Sequence, residues 1–224
     1  MKYISLLDII GPAMVGPSSS HTAGAARIGF LAGKIYEELP KSVQINLYNS
    51  FAQTGKGHGT DKSILAGILG LGVDDENIKN SFQTAKQKNL KVSFDYLQAP
   101  ERHPNSCDII FFDGKKRMKI TADSLGAGEI RITSIDGFEA NLQGDYFTLF
   151  LVYKDKPGMI SKVTSIIQEN GINIANLSCS RTNKGETASM TISLDTPLDN
   201  NIVGKKLAKI QDIYTVRNID KLRK

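Results

Sequence analysis

The sequence predicts an α+β protein of two domains. Strand and helix patterns are mixed without strict alternation over the first 140 residues, which favours an α+β fold over a doubly wound sheet. From residue 146 the patterns follow the order strand, helix, strand, strand, helix, strand, which is the ferredoxin-like arrangement. The polar segment at residues 141–145 is the best linker candidate. We therefore predict one domain over residues 1–144 and a second over residues 145–224.

The first domain combines short helices with strands of alternating polarity. Apolar spacing and stop signals predict helices over residues 5–10, 22–39 and 63–69, and a further short helix capped by residues 74–77. Alternation of polar and apolar residues predicts strands over residues 43–48, 92–96, 108–112, 117–121 and 130–135. The glycine-rich segments at residues 55–61 and 123–129 are predicted to be loops.

The second domain follows the βαββαβ order element by element. Strands are predicted over residues 146–153, 172–181, 187–194 and 213–219, and helices over residues 159–170 and 201–210, with Gly171 ending the first helix. Within that helix the apolar residues recur along one face, which we expect to lie in the core: Ile160, Val163, Ile166 and Ile167.

The composition limits location and partners. The net charge is +5, but the basic residues are scattered and are not interleaved with aromatic residues, so we expect no nucleic acid partner. No apolar run reaches about 18 residues, so we expect no membrane span. Residues 1–8 lack signal-peptide features, which predicts a cytoplasmic location. Two cysteines, Cys107 and Cys179, are too few to anchor zinc or an iron–sulfur cluster, and we expect both to be buried free thiols.

A run of hydroxyl residues around a histidine is the most informative segment of the chain. Behind a Gly-Pro turn at residues 16–17 lie Ser18, Ser19, Ser20, His21 and Thr22, followed by a small-residue helix. Serine caps helix N-termini, and a helix N-terminus favours a negatively charged group such as a carboxylate. The alternative interpretation is a capped helix with a solvent-facing histidine.

The other two histidines also lie in turn-like segments. His58 stands among glycines and is followed by Gly59, Thr60 and Asp61, a composition that lets the backbone approach a ligand closely. His103 precedes Pro104 and Asn105, which is another turn signal. The placement of all three histidines in small-residue turns indicates a polar site.

Four motifs in order resemble the β chain of bacterial iron–sulfur-dependent L-serine dehydratase. They lie at residues 16–24, 57–61, 103–105 and 126–138. The resemblance implies a first domain similar to the allosteric substrate-binding domain of some phosphoglycerate dehydrogenases. It also implies a two-chain lyase that converts L-serine to pyruvate and ammonia, with a [4Fe–4S] cluster ligated by a separate α subunit and not by this chain.

The same resemblance assigns roles to the polar residues. His21 and His58 become candidates for general acid–base catalysis or substrate orientation, and which of them does which is left open. One iron of the α-subunit cluster is expected to act as the Lewis acid that binds the serine. The residues expected to bind substrate are Ser18, Ser19, Ser20, Thr22, Gly59, Thr60, Asp61, His103 and Asn105.

The second domain resembles an ACT domain through residues 155–160 and 170–174. ACT domains commonly associate across subunits and often bind amino acids there, so Asp155, Gly158 and Asn173 are candidates for a ligand site or an interface. A side chain at Gly158 is expected to crowd the helix N-terminus. Exposed sheet edges favour self-association of the domain, and assembly without any ligand is the alternative. For the whole chain, the alternative function is a non-catalytic amino-acid-binding regulatory protein.

Overall fold

The computed structural model describes residues 14–114 and 116–222, and the chain divides into two compact units between Asp136 and Gly137. The helix predicted over residues 5–10 lies outside the described residues. The domain boundary between residues 144 and 145 stays a prediction. In the described ranges, no helix is both long enough and apolar enough to cross a membrane.

The first unit alternates helices and strands irregularly. Its helices are α1 (Ala25–Tyr36), α2 (Ser50–His58), α3 (Thr60–Ile68) and α4 (Ser81–Gln87). A π-helical turn (Ser19–Gly24) leads into α1, and a 3₁₀ turn (Glu76–Asn80) leads into α4. Its strands are β1 (Ser42–Tyr48), β2 (Lys91–Leu97), β3 (Ser106–Asp113), β4 (Lys116–Gly126) and β5 (Glu129–Ile135).

The strands of the first unit form a mixed sheet in the order β2-β1-β3-β4-β5. Strand β1 is parallel to β2, whereas the β1–β3, β3–β4 and β4–β5 pairs are antiparallel. Strand β1 alternates as its sequence predicts, with Val43, Ile45 and Leu47 buried. The central strand β3 is buried at six consecutive positions from Ser106, so its polar residues lie inside the protein.

Helices α1 and α3 pack with their backbones almost in contact. A Cβ atom on Gly67 of α3 would lie 2.1 Å from the carbonyl oxygen of Ala26, and one on Gly29 of α1 would lie 2.0 Å from the carbonyl oxygen of Ile64. Only glycine fits at both positions. This close approach fixes the start of α1, where the hydroxyl-rich segment lies.

The second unit has the predicted ferredoxin-like order after one further strand. Its elements are β6 (Phe138–Leu142), β7 (Phe147–Lys154), α5 (Met159–Glu169), β8 (Ile174–Arg181), β9 (Thr187–Leu194), a π-helical turn (Asn200–Gly204), α6 (Lys205–Ala208) and β10 (Ile213–Ile219). The antiparallel sheet β10-β7-β9-β8 packs its buried face, including Leu149, Leu151 and Ile192, against Val163 and Ile167 of α5.

Two predicted loops are wrong. Residues 55–58 belong to α2, so that His58 is the last residue of a helix. Burial of Gly55 against Thr60 and Leu47 offsets the helix penalty of about 1 kcal/mol per glycine. Residues 123–129 form the end of β4, a tight turn and the start of β5, because a two-residue turn suffices to join antiparallel strands.

Several predicted boundaries are also too long. Helix α1 ends at Tyr36 and not at residue 39, because Glu37 adopts a left-handed conformation with φ of 76° and donates its N–H to the Gly33 carbonyl. The helix predicted over residues 201–210 is reduced to a π-helical turn and the single turn α6. The predicted linker begins inside a strand, since β6 continues to Leu142.

Three side-chain expectations for the second unit are wrong. Ile160 is 48% exposed, because it lies one residue past Met159 and so turns away from the face that α5 buries. Cys179 is exposed on β8, whereas Cys107 is buried in β3 as predicted. A Cβ atom on Gly158 meets no atom within 4 Å, so crowding does not explain this glycine. This glycine is explained by its φ of 86°, because the residue before α5 adopts the left-handed conformation that glycine favours.

Candidate active site

The π-helical turn holds His21 by its backbone. The Ser18 carbonyl accepts N–H groups from both Thr22, at 2.9 Å, and Ala23, at 3.3 Å. The Ser18 hydroxyl accepts the N–H of His21 at 3.1 Å, as expected for a helix cap. π-helical turns are rare and are frequently found at functional sites. His21 is thus presented from a turn that backbone and side-chain hydrogen bonds stabilise.

His21 meets His58 across the start of α1 and the end of α2. Their ring centroids are 5.1 Å apart, and the edge of His21 also packs against Phe51 at 5.1 Å. Burial lowers the pKa of His21, the backbone of Ser50 opposes this, and the nearby His58 lowers it further. His21 is therefore mostly neutral at pH 7, which is the form that accepts a proton.

Helix α2 supplies the polar partners of both rings. The Nε2 atom of His21 lies 2.9 Å from the Thr54 hydroxyl and 3.3 Å from the Ser50 hydroxyl. The Nδ1 atom of His58 lies 3.1 Å from the Thr54 carbonyl. Ser50 and Thr54 were not predicted from the sequence, because the glycines of α2 have low helix propensity and the helical spacing of these residues was therefore not recognised.

Thr22 and Ser20 connect the π-helical turn to its neighbours. Thr22 is buried, and its hydroxyl donates to the His58 carbonyl at 3.3 Å. The Ser20 carbonyl accepts the Ser124 hydroxyl of β4 at 3.0 Å, and the Ser124 N–H donates to the Asn105 carbonyl at 2.9 Å. Ser18, Ser19 and Ser20 are all half-buried. The sequence motifs at residues 16–24, 57–61 and 103–105 therefore meet in one place.

The segment that carries His103 lies against the start of α2. The Pro104 carbonyl accepts the N–H groups of Ser50, at 2.9 Å, and Phe51, at 3.4 Å. The Asn49 side chain donates to the Ala99 carbonyl at 2.8 Å and accepts the Ala99 N–H at 2.9 Å. Asn49 was another residue that sequence analysis missed. It holds the loop before β3 onto the helix that faces His21.

Two buried oxygens near the histidine motifs have no hydrogen-bond partner in the described part of the chain. They are Oδ1 of Asn105 and the hydroxyl of Thr60. His103 is a half-buried turn residue whose Nδ1 accepts the Asn105 N–H at 3.1 Å. Gly59, with φ of 70°, joins α2 to α3, and the Asp61 carboxylate caps the N–H of Lys62.

A buried carboxylate that sequence analysis missed organises the sheet beside this site. Asp108 is 1% exposed and accepts hydrogen bonds from Arg102, Lys119, Thr121 and Tyr48 at 2.8–3.2 Å. Burial alone would raise the pKa of Asp108, but the bonds from Arg102, Lys119 and Thr121 lower it to about 2. A charged residue inside the apolar run of β3 was the available signal.

The described residues do not fit an iron–sulfur cluster. No group of three or more His, Cys, Asp or Glu residues in the described ranges could hold a metal ion. Burial, and then the charge of Asp108, raise the pKa of Cys107 and keep it a thiol, while Cys179 lies in the second unit.

The structure gives each candidate residue of the second unit a partner or a conformation. The Asp155 carboxylate accepts the Gly185 N–H at 2.9 Å and pairs with Arg181 at 3.4 Å. The Asn173 side chain donates to Asp195 at 2.6 Å. These contacts stabilise the turns that precede and follow α5.

Comparison with known proteins places both units in described families. The family "Serine dehydratase beta chain" matches residues 5–134, and "AHAS small subunit-like ACT domain" matches residues 149–215. The chain is 41% identical to a probable L-serine dehydratase beta chain of Bacillus subtilis, over 98% of this chain and 99% of that protein. It is 38% identical to the L-serine dehydratase beta chain of Peptoniphilus asaccharolyticus, over 88% of this chain and 90% of that protein.

A third relative is similar to this chain over only part of its own length. The chain is 28% identical to D-3-phosphoglycerate dehydrogenase of Bacillus subtilis, over 88% of this chain but only 37% of that protein. These matches confirm the predicted α+β class, the relation to phosphoglycerate dehydrogenase and the ACT domain. They favour the dehydratase subunit over the alternative of a regulatory protein. The chain belongs to the L-serine dehydratase beta-chain family and is a subunit of that lyase, followed by an ACT domain.

Proposed function

We propose that this chain completes the active site of an enzyme that converts L-serine to pyruvate and ammonia, together with an α subunit. A beta chain implies an alpha-chain partner, and we assign to that partner the ligands of a [4Fe–4S] cluster. The observation that carries the proposal is the pair of half-buried histidines, with ring centroids 5.1 Å apart, where the motifs at residues 16–24 and 57–61 meet.

The chemistry requires proton transfer that imidazoles can supply. Loss of water from L-serine removes a weakly acidic proton from Cα, so it needs a base near neutral pH. His21 is suited to this role because burial and the neighbouring His58 lower its pKa and keep the ring neutral. His58 becomes the second proton-transfer or orienting group. The aminoacrylate released then tautomerises and hydrolyses to pyruvate and ammonia.

Some of the remaining polar side chains stabilise the site by hydrogen bonds, whereas others have buried oxygens without a partner in the described residues. The side chains of Ser18 and Thr22 hold the π-helical turn and the end of α2. Asn105 Oδ1 and the Thr60 hydroxyl are buried without a described partner, and an unpaired buried acceptor favours a ligand that donates. We assign the serine ammonium group to Asn105, and the carboxylate to the hydroxyls of Ser19 and Ser20. Gly59, Asp61 and His103 border this site.

The test is an anaerobic pyruvate assay on L-serine with the chain co-expressed with its α subunit. His21→Ala and His58→Ala should each lower turnover by roughly 10²-fold or more if the rings transfer protons. Lys184→Ala, at an exposed turn of the second unit, is the matched control. Circular dichroism should show that all variants fold. Near-normal turnover of both histidine variants would contradict the proposal.

For the ACT domain we propose self-association, with Asp155, Gly158 and Asn173 at a ligand site or interface. The support is the sheet, in which β8 and β10 are edge strands with unpaired backbone groups. Analytical ultracentrifugation of the full chain, with and without L-serine, tests this. A strictly monomeric chain under both conditions would contradict self-association.

A further inference from the structure

Thr54 contacts both histidines of the proposed site. It lies one helical turn before His58 on α2. Its hydroxyl is 2.9 Å from Nε2 of His21, and its carbonyl is 3.1 Å from Nδ1 of His58. One residue thus meets the first histidine with its side chain and the second with its backbone.

The contact to His58 fixes the position of a proton. A carbonyl oxygen only accepts hydrogen bonds, so Nδ1 of His58 must carry the hydrogen in this contact. In the neutral ring the other nitrogen, Nε2, then holds the unshared electron pair. This is the nitrogen of His58 that can accept a proton.

The contact to His21 fixes the opposite arrangement. The Thr54 hydroxyl has a single hydrogen and lies 2.9 Å from the Ser50 carbonyl, which can only accept. With its hydrogen used there, the hydroxyl offers a lone pair to His21, whose Nε2 therefore carries the ring hydrogen. The backbone of Ser50 acts to raise the pKa of His21, which is the direction expected of an acceptor near a ring N–H.

We infer that Thr54 is a positioning residue that fixes opposite tautomers of the two histidines. His21 presents Nδ1 and His58 presents Nε2 as proton acceptors. The catalytic consequence rests on the proposed function, whereas the tautomers themselves do not. A histidine in the wrong tautomer keeps its place but loses the lone pair that a base needs.

The tautomers can be measured on the full-length chain without the α subunit. The chain has only three histidines, so ¹⁵N-histidine labelling and long-range ¹H–¹⁵N correlation spectra give a separate pattern for each ring. At a pH where the rings are neutral, we expect the Nε2–H form for His21 and the Nδ1–H form for His58. His103 is an internal reference in the Nε2–H form, because its Nδ1 accepts the Asn105 N–H.

Two substitutions at Thr54 separate the side chain from the backbone. Thr54→Val removes the hydroxyl and keeps the carbonyl, so the His21 Nε2–H population should fall towards that of an unconstrained imidazole and its ring proton should exchange faster with water. The His58 tautomer should not change. Thr54→Ser keeps a hydroxyl and should restore the His21 pattern.

Activity of the complex with the α subunit gives the second readout. Thr54→Val should lower kcat for L-serine by roughly 10-fold or more, and Thr54→Ser should recover most of it. The inference is overturned by His58 in the Nε2–H form, by His21 in the Nδ1–H form, or by a Thr54→Val chain with unchanged His21 signals. Changed tautomers with unchanged kcat would overturn the positioning role. Failure of the proposed function shows separately, as full activity of His21→Ala and His58→Ala.

Discussion

Replacing Asp108 by asparagine is expected to cost about 2 kcal/mol of unfolding free energy at pH 7. The carboxylate is almost fully buried, and its hydrogen bonds from Arg102, Lys119 and Thr121 outweigh burial and lower its pKa to about 2, from an ordinary value of 3.8. That difference corresponds to about 2 kcal/mol of stabilisation by the ionised form. Asparagine keeps the shape but gives Arg102 and Lys119 no negative partner.

The contribution of Asp108 to the free energy of unfolding depends on pH. Because the pKa of Asp108 is lower in the folded chain, the ionised carboxylate stabilises the fold above pH 3.8, and this contribution disappears as the pH falls towards 2. Urea unfolding of wild type and Asp108→Asn between pH 7 and pH 2 should therefore converge at the acid end. Asp113→Asn is the control, since the Lys41 side chain that pairs with Asp113 is 79% exposed to water. It should change stability by under about 0.5 kcal/mol. Equal losses in the two variants, or parallel pH curves for Asp108→Asn and wild type, would refute the reasoning.

Three further outcomes are expected. Gly67→Ala should destabilise the chain by about 1–3 kcal/mol, because the added Cβ would lie 2.1 Å from the backbone of α1. Gly57→Ala is the control: its added Cβ would meet no atom within 4 Å, so it should stabilise α2 by about 0.5 kcal/mol. Thermal unfolding of the two variants measures both effects. His58→Gln should raise the pKa of His21 in an NMR titration, since burial is the first cause of its lowering and His58 a further one that the substitution removes; an unchanged pKa would contradict this. Gly158→Ala should cost about 1 kcal/mol of unfolding free energy through its φ of 86°, and a neutral result would show that this turn relaxes.

The sequence predicts best what depends on local pattern. Strands β9 and β10 have the predicted bounds, and along β9 the apolar residues alternate as the pattern requires. The second half of α2, from Gly55, was predicted as a loop, because Gly55 and Gly57 have a low helix propensity that tertiary packing overrides. That error also hid Thr54, whose relation to His21 depends on helical spacing and on a contact 33 residues away.

The Asp108 cluster also bears on the histidine pair. A buried ion pair adds little net stability compared with apolar residues of the same volume. Positioning of the neighbouring loop therefore explains the Asp108 cluster better than a gain in stability does. Arg102 ties the loop before β3 to Asp108, and two residues later the Pro104 carbonyl receives the N–H groups that open α2. The first residue of α2, Ser50, faces His21. The polar cluster in the sheet is thereby linked to the ring proposed to accept the substrate proton, through hydrogen bonds and through the backbone between Arg102 and Pro104.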